Sequence, residues 1–178
     1  MFFIPGFVIS ILTFPGVIVH EAAHLLFCRV NKLAVFDVCY FRFGNPAGYV
    51  IHEATTDFKK AFMVSMGPFF VNSVLCVIFC SAAFVPAWEL EVQDPLAYFF
   101  YWLGISIGMH AFPSTQDMKG IWHLMPGEAK KLNLLAIVSY PLVAIVFVLN
   151  LARFFWADLG YGLAIGILVP LAVFRWLA

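Results

Sequence analysis

Long apolar runs constrain this chain more than any motif in it; they fall at about 2–27, 58–85, 96–112, 134–156 and 159–177. Hydrocarbon offers a backbone no hydrogen bonds, so such a segment can sit in lipid only as a helix, and about 20 apolar residues are needed to cross. A chain of 178 residues that is 63% hydrophobic and only 11% charged lies outside the range of soluble domains. The expectation is an α-helical integral membrane protein, multi-pass, with about five transmembrane helices, forming a single membrane-embedded unit over 1–178. A cleaved signal peptide does not account for the first run, because similar runs follow it and it carries polar residues of its own. The 21 Phe and 5 Trp suit lipid-facing and interfacial positions. Net charge is zero and no basic stretch with interleaved aromatics appears, which argues against a nucleic-acid partner.

Between the first two runs, residues 33–57 read differently. Val35, Val38, Tyr40, Phe41 and Phe43 are strand formers, Gly44-Asn45-Pro46 signals a turn, and Gly48-Tyr49-Val50-Ile51 is a second extended run. A small membrane-associated β-hairpin or sheet follows, with a plain connecting loop as the alternative. An open edge near Gly48, Tyr49 and Val50 would offer backbone hydrogen bonds to an extended peptide. The basic residues set the orientation. Arg29, Lys32, Arg42, Lys59 and Lys60 flank the first connection, Lys119, Lys130 and Lys131 the third, and the acidic second (Glu89, Glu91, Asp94) has none. The positive-inside rule puts the first and third connections in the cytosol. Cys28, Cys39, Cys76 and Cys80 form no CxxC pair, and free thiols are expected.

The chemistry is concentrated in His20-Glu21-Ala22-Ala23-His24, inside the first apolar run and four residues after Pro15-Gly16. Histidines four apart on a helix differ by about 40° around its axis, so both imidazoles reach one metal ion, with Glu21 beside it. A bound metal acidifies water, and the adjacent carboxylate takes its proton and passes it to a leaving amine. Ionisable groups pointed into hydrocarbon are costly and mark function by default. A catalytic zinc needs three protein ligands and one open position. Asp117, just past the cytosolic end of the third run, has the right charge and level for the third ligand. His110 competes for that role and reads better as a group that orients neighbours or polarises substrate. Asn72, one turn after Gly67-Pro68, is a buried amide. It either packs between helices or faces the metal, where it could donate to an oxyanion or hold a substrate strand. His52, Glu53, His123 and Glu128 read as solvated or interfacial.

These stretches, over about 15–120, resemble the site-2 protease family of intramembrane zinc metalloproteases. The resemblance rests on His20-Glu21-Ala22-Ala23-His24, Asn45-Pro46-Ala47-Gly48-Tyr49-Val50, Gly67-Pro68 with Asn72, and Asp117 followed by Gly120. Asn72 stands four residues after the proline where the family has three, and Gln116-Asp117-Met118 replaces the family's Leu-Asp-Gly. The resemblance implies Zn2+ on His20, His24 and Asp117, Glu21 as general base, and Asn72 as a substrate- or intermediate-binding residue. The activity implied is hydrolysis of a peptide bond in or near a transmembrane segment of a partner protein, near the cytosolic side. A non-catalytic scaffold binding transmembrane partners and a metal transporter are the competing readings. A scaffold has no use for Glu21, and the internal repeats usual in transporters are not found.

Overall fold

The structure, a computed structural model, describes residues 6–90 and 93–177, with the backbone alone for Glu89, Phe154 and Leu177. Pro5, Glu91 and the beginning of the first apolar run lie outside the described residues. That run folds as two helices, α1 (Gly6–Leu12) and α2 (Phe14–Val30), bent by 87° at Thr13. Proline lacks an N–H and is tolerated in a helix's first turn. Pro15 sits there, so the Pro15-Gly16 pair starts a fresh helix instead of kinking a continuous one. α2 ends at Asn31, whose side chain donates to Phe27 O (2.8 Å), and Lys32 turns the chain with φ 56°.

Two strands follow, β1 (Val35–Cys39) and β2 (Tyr49–His52), paired antiparallel with Val38 opposite Val50 and Cys39 opposite Tyr49. The β-branched and aromatic residues form the small sheet, with an irregularity between Val35 and Asp37. Helix α3 (Phe58–Phe84) begins at Asp57, whose carboxylate accepts from the backbone of Lys59 (2.9 Å) and Lys60 (3.2 Å), and runs on through a π-helical turn, Val85–Glu89. Pro68 does not break it. What the Gly67-Pro68 pair provides is close approach: a Cβ on Gly67 would lie 2.0 Å from the Phe27 ring of α2.

α4 (Pro95–Met109) is capped by Asp94 and ends before His110. The sequence reading leaves 113–133 as a connection, whereas the chain there forms a 16-residue amphipathic helix, α5 (Thr115–Lys130). Its Met118, Ile121 and Met125 share one buried face with Phe58 and Met66 of α3 and with Ala136, Val143 and Val146 of α6 (Leu134–Ala152). A short 3-10 turn (Arg153–Phe155) and Trp156, at φ 62°, reverse the chain into α7 (Ala157–Leu163), a π-helical turn (Ala164–Leu168) and α8 (Val169–Leu177).

Among the described residues three helices are long and apolar enough to cross a membrane: Phe58–Trp88, Leu134–Ala152 and Ala157–Trp176. The bent α1–α2 pair makes a fourth if it counts as one span. Fifteen residues of α4 rise only about 22 Å, short of a hydrocarbon core about 30 Å thick. α3 and α4 pack through small residues. A Cβ on Gly104 would lie 2.6 Å from Cys80 Sγ, and one on Gly108 would lie 2.7 Å from Cys76 Sγ. All four cysteines are free thiols.

Candidate metal centre

α2 turns His20 and His24 to one side, with their Nε2 atoms 3.2 Å apart. What lies behind each ring decides what that contact is. His20 Nδ1 donates to His110 O (2.6 Å) and His24 Nδ1 donates to Val64 O (2.9 Å). A carbonyl can only accept, so both neutral rings carry their proton on Nδ1 and present bare Nε2 lone pairs to each other. Asp117 adds a third acceptor, its Oδ1 3.6 Å from His24 Nε2. The three ligand atoms lie within 4.8 Å of one another. A proton on one imidazole would be a single donor for two acceptors, whereas a divalent cation satisfies all three. Ligands at 2.0–2.1 Å from a tetrahedral zinc lie roughly 3.3 Å apart, so the donor set and the His20–His24 and His24–Asp117 spacings suit that ion, with Asp117 and His20 within 4.8 Å.

Asp117 is aimed by its own helix. It is the third residue of α5, and Ser114 is the N-cap: Asp117 Oδ2 accepts from Ser114 N (2.7 Å) and Ser114 Oγ (2.6 Å), while Asp117 N donates to Ser114 Oγ (3.2 Å). One carboxylate oxygen completes the capping box and the other faces the histidines.

Glu21 is 8% exposed, one residue from His20. Among the described residues no donor engages its carboxylate. Its methylene lies under the entry to β2, where a Cβ on Gly48 would stand 2.6 Å from Glu21 Cγ and 3.1 Å or less from the carbonyls of Cys39 and Tyr40. Gly48 therefore touches the site directly. Tyr49 turns its hydroxyl to Asp37 (2.8 Å), with the Arg42 guanidinium 5.0 Å from its ring centre, and Val50 pairs with Val38. The hairpin is held down by its loop, where Phe41 packs on Phe14 (5.9 Å) and Phe14 on Trp102 (6.0 Å).

The structure separates the other two candidates from the ligand atoms. Asn72 is fully buried, and its amide nitrogen donates to His110 O (3.1 Å) and Ile107 O (3.1 Å), with Gly16 O at 3.4 Å. These contacts run between helices, Asn72 and His20 donate to the same carbonyl, and the Asn72 Oδ1 has no partner among the described residues. His110 contributes that carbonyl. Its ring Nε2 donates to Thr13 Oγ1 (2.8 Å), which donates onward to Ile9 O (2.7 Å). Gly16 allows this crossing, since a Cβ there would lie 2.0 Å from Ser106 O and 2.6 Å from the His110 ring. His52, Glu53, His123 and Glu128 lie outside the cluster; Glu128 accepts from Lys131 (2.7 Å) and Asn133 (2.9 Å).

Ser114 lies in a Ser-x-x-Asp motif ahead of an apolar-faced helix, the sequence signal that marks it as the cap holding Asp117. Asn150 and Arg153, whose side chains reach Pro113 O and Phe112 O, carried only the signal of polar residues at the end of an apolar run. No family model, curated protein or solved structure matches the chain, so the reading of function rests on fold and site geometry.

Proposed function

We propose that the protein is a zinc-dependent intramembrane endopeptidase of the site-2 protease kind, cutting a membrane protein in or near a transmembrane segment. The observation that carries this reading is the convergence of two imidazoles, each backed by a carbonyl at Nδ1, and a carboxylate oxygen within 4.8 Å of one another. In this reading the α1–α2 pair, α3, α4, α6 and α7–α8 make five membrane crossings, the short α4 by local thinning of the bilayer. The basic residues around 29–60 and 119–131 put the site near the cytosolic side.

His20, His24 and Asp117 would hold the ion. A zinc ion bound there supplies Lewis acidity, polarising water and the scissile carbonyl. Glu21 takes the water's proton and returns it to the leaving amine. Its carboxylate is free for that work, and Gly48 leaves room for its methylene beneath the hairpin. A helical substrate hides its scissile bond inside backbone hydrogen bonds, so it must unwind locally before attack. The edge of the sheet at Gly48, Tyr49 and Val50 offers replacement hydrogen bonds to the unwound strand. Asn72 serves the site from behind, by fixing the carbonyl that orients His20.

Glu21 also separates this reading from a scaffold, which has no use for a buried carboxylate beside two imidazoles. The test uses the full chain purified in detergent and reconstituted with single-span membrane proteins. Zinc should be present at one ion per chain, and Glu21→Gln should keep the zinc while cleavage falls at least about 10²-fold. A purified protein without stoichiometric zinc would point to the scaffold. A Glu21→Gln variant that still cuts at full rate would remove the mechanism, and metal uptake by vesicles that this substitution leaves intact would point to transport.

A further inference from the structure

The segment 110–114 joins α4 to α5 without regular structure, yet Ala111, Phe112 and Pro113 are buried. Irregular backbone in an apolar interior must find partners for its carbonyls or lose a few kcal/mol for each. Here the partners come from two sides. His110 O accepts from His20 and Asn72, on α2 and α3. Phe112 O accepts from Arg153 Nη2 (3.0 Å) and Pro113 O accepts from Asn150 Nδ2 (3.0 Å), both at the end of α6. The next residue, Ser114, caps α5 and holds the carboxylate of Asp117.

We propose that Asn150 and Arg153 are positioning residues for the third metal ligand. They clamp the loop that sets where α5 begins, and so where Asp117 Oδ1 stands relative to His24. Three observations support a role beyond general packing. The apolar contacts of α5, through Met118, Ile121 and Met125, are non-directional and would tolerate a small slide that the two carbonyl clamps forbid. The Arg153 guanidinium also feels the carboxylates of Asp158 first and Asp117 second. Finally, among the described residues Arg153 Nε and Asn150 Oδ1 are buried without a partner, a cost that asks for an explanation beyond structure.

The inference rests on the metal-site reading, and the experiment separates the two. Co2+ is titrated into the full chain in detergent against a competing chelator, with its visible d–d absorption recorded for wild type, His24→Ala, Arg153→Lys, Arg153→Met and Asn150→Leu. Wild type should bind one ion and His24→Ala none. Arg153→Met should weaken binding 10–100-fold and shift the absorption bands, as loss of an outer partner of a ligand does. Arg153→Lys, which keeps a charged donor for Phe112 O, should recover most of that loss. Equal affinity and equal bands for Arg153→Met and wild type would overturn the proposal and leave the metal site standing. If Arg153→Met does not fold, Asn150→Leu decides: a several-fold loss supports the clamp and no loss overturns it. If wild type binds no Co2+ through His24, the metal-site reading fails and the clamp with it.

Discussion

Two neighbouring stretches of the α3–α4 interface bury their contents in opposite ways. Around Cys76 and Cys80 the helices meet through glycines: Gly104 and Gly108 leave no room for a Cβ, Gly166 presses on the same cysteines, and Gly162 lies against the α4 backbone at Ile105 and Met109. One turn along, Asn72, Ile107 and His110 meet through hydrogen bonds, and the carbonyl at their centre also anchors His20. The first stretch holds the helices together by shape. The second holds side chains in a chosen direction, which close packing alone does not do. A membrane-type fold that must also aim imidazoles needs both, because dispersion is non-directional while a hydrogen bond to a carbonyl fixes ring and tautomer together.

Breaking the packed stretch should have the largest effect. Gly108→Leu places even its first side-chain atom 2.7 Å from Cys76 Sγ and 3.0 Å from the backbone of Gly162. A loss of about 3 kcal/mol or more is expected, because backbone cannot step aside as a flexible side chain can. Unfolding in mixed micelles measures it, and a variant as stable as wild type would mean the helices are not locked by shape. Gly48→Ala comes next. It drives a methyl against Glu21, and a misplacement of about 1 Å can cost roughly 10²-fold in rate. Cleavage should drop by that order while zinc occupancy holds, and a parallel loss of zinc would show that the hairpin supports the ligands as well as the base.

Asn72→Leu sharpens the contrast at its boundary. The swap is nearly isosteric and His110 O keeps His20 as donor, so stability should change by less than about 1.5 kcal/mol. Metal affinity should fall roughly tenfold as His20 loosens; a large stability loss with normal affinity would make Asn72 a packing residue only. The smallest effect is expected from Thr13→Val. It takes the acceptor from the His110 ring and should cost about 1 kcal/mol. Because the carbonyl of His110, and not its ring, touches His20, metal binding should be unaltered, as a Co2+ titration would reveal.

The parts of the site legible in the sequence are those in which one helix carries the whole relation. His20, Glu21 and His24 are neighbours through helical periodicity alone. Their apolar flanks mark them as costly, and the pairing of Val35–Cys39 with Tyr49–His52 follows from strand formers around a turn signal. Other parts were hidden because their signals are mixed. α5 contains Gly120, Pro126 and Gly127 among its lysines, so its buried face at Met118, Ile121 and Met125 does not stand out from a connection. The bend falls at Thr13 because Pro15 fits a first turn, a choice that the Pro15-Gly16 pair alone does not reveal.

Local sequence, then, determined the histidine pair, the carboxylate beside it, the apolar segments and the small sheet, since each depends on spacing within one element. Tertiary structure alone decided that Asp117 comes within 3.6 Å of His24, that both rings are turned by distant carbonyls, and that Asn72 faces backbone. The reason is physical. A side chain's direction is set by the partners that satisfy it, and here those partners are main-chain groups, which carry the same donors and acceptors whatever residue they belong to.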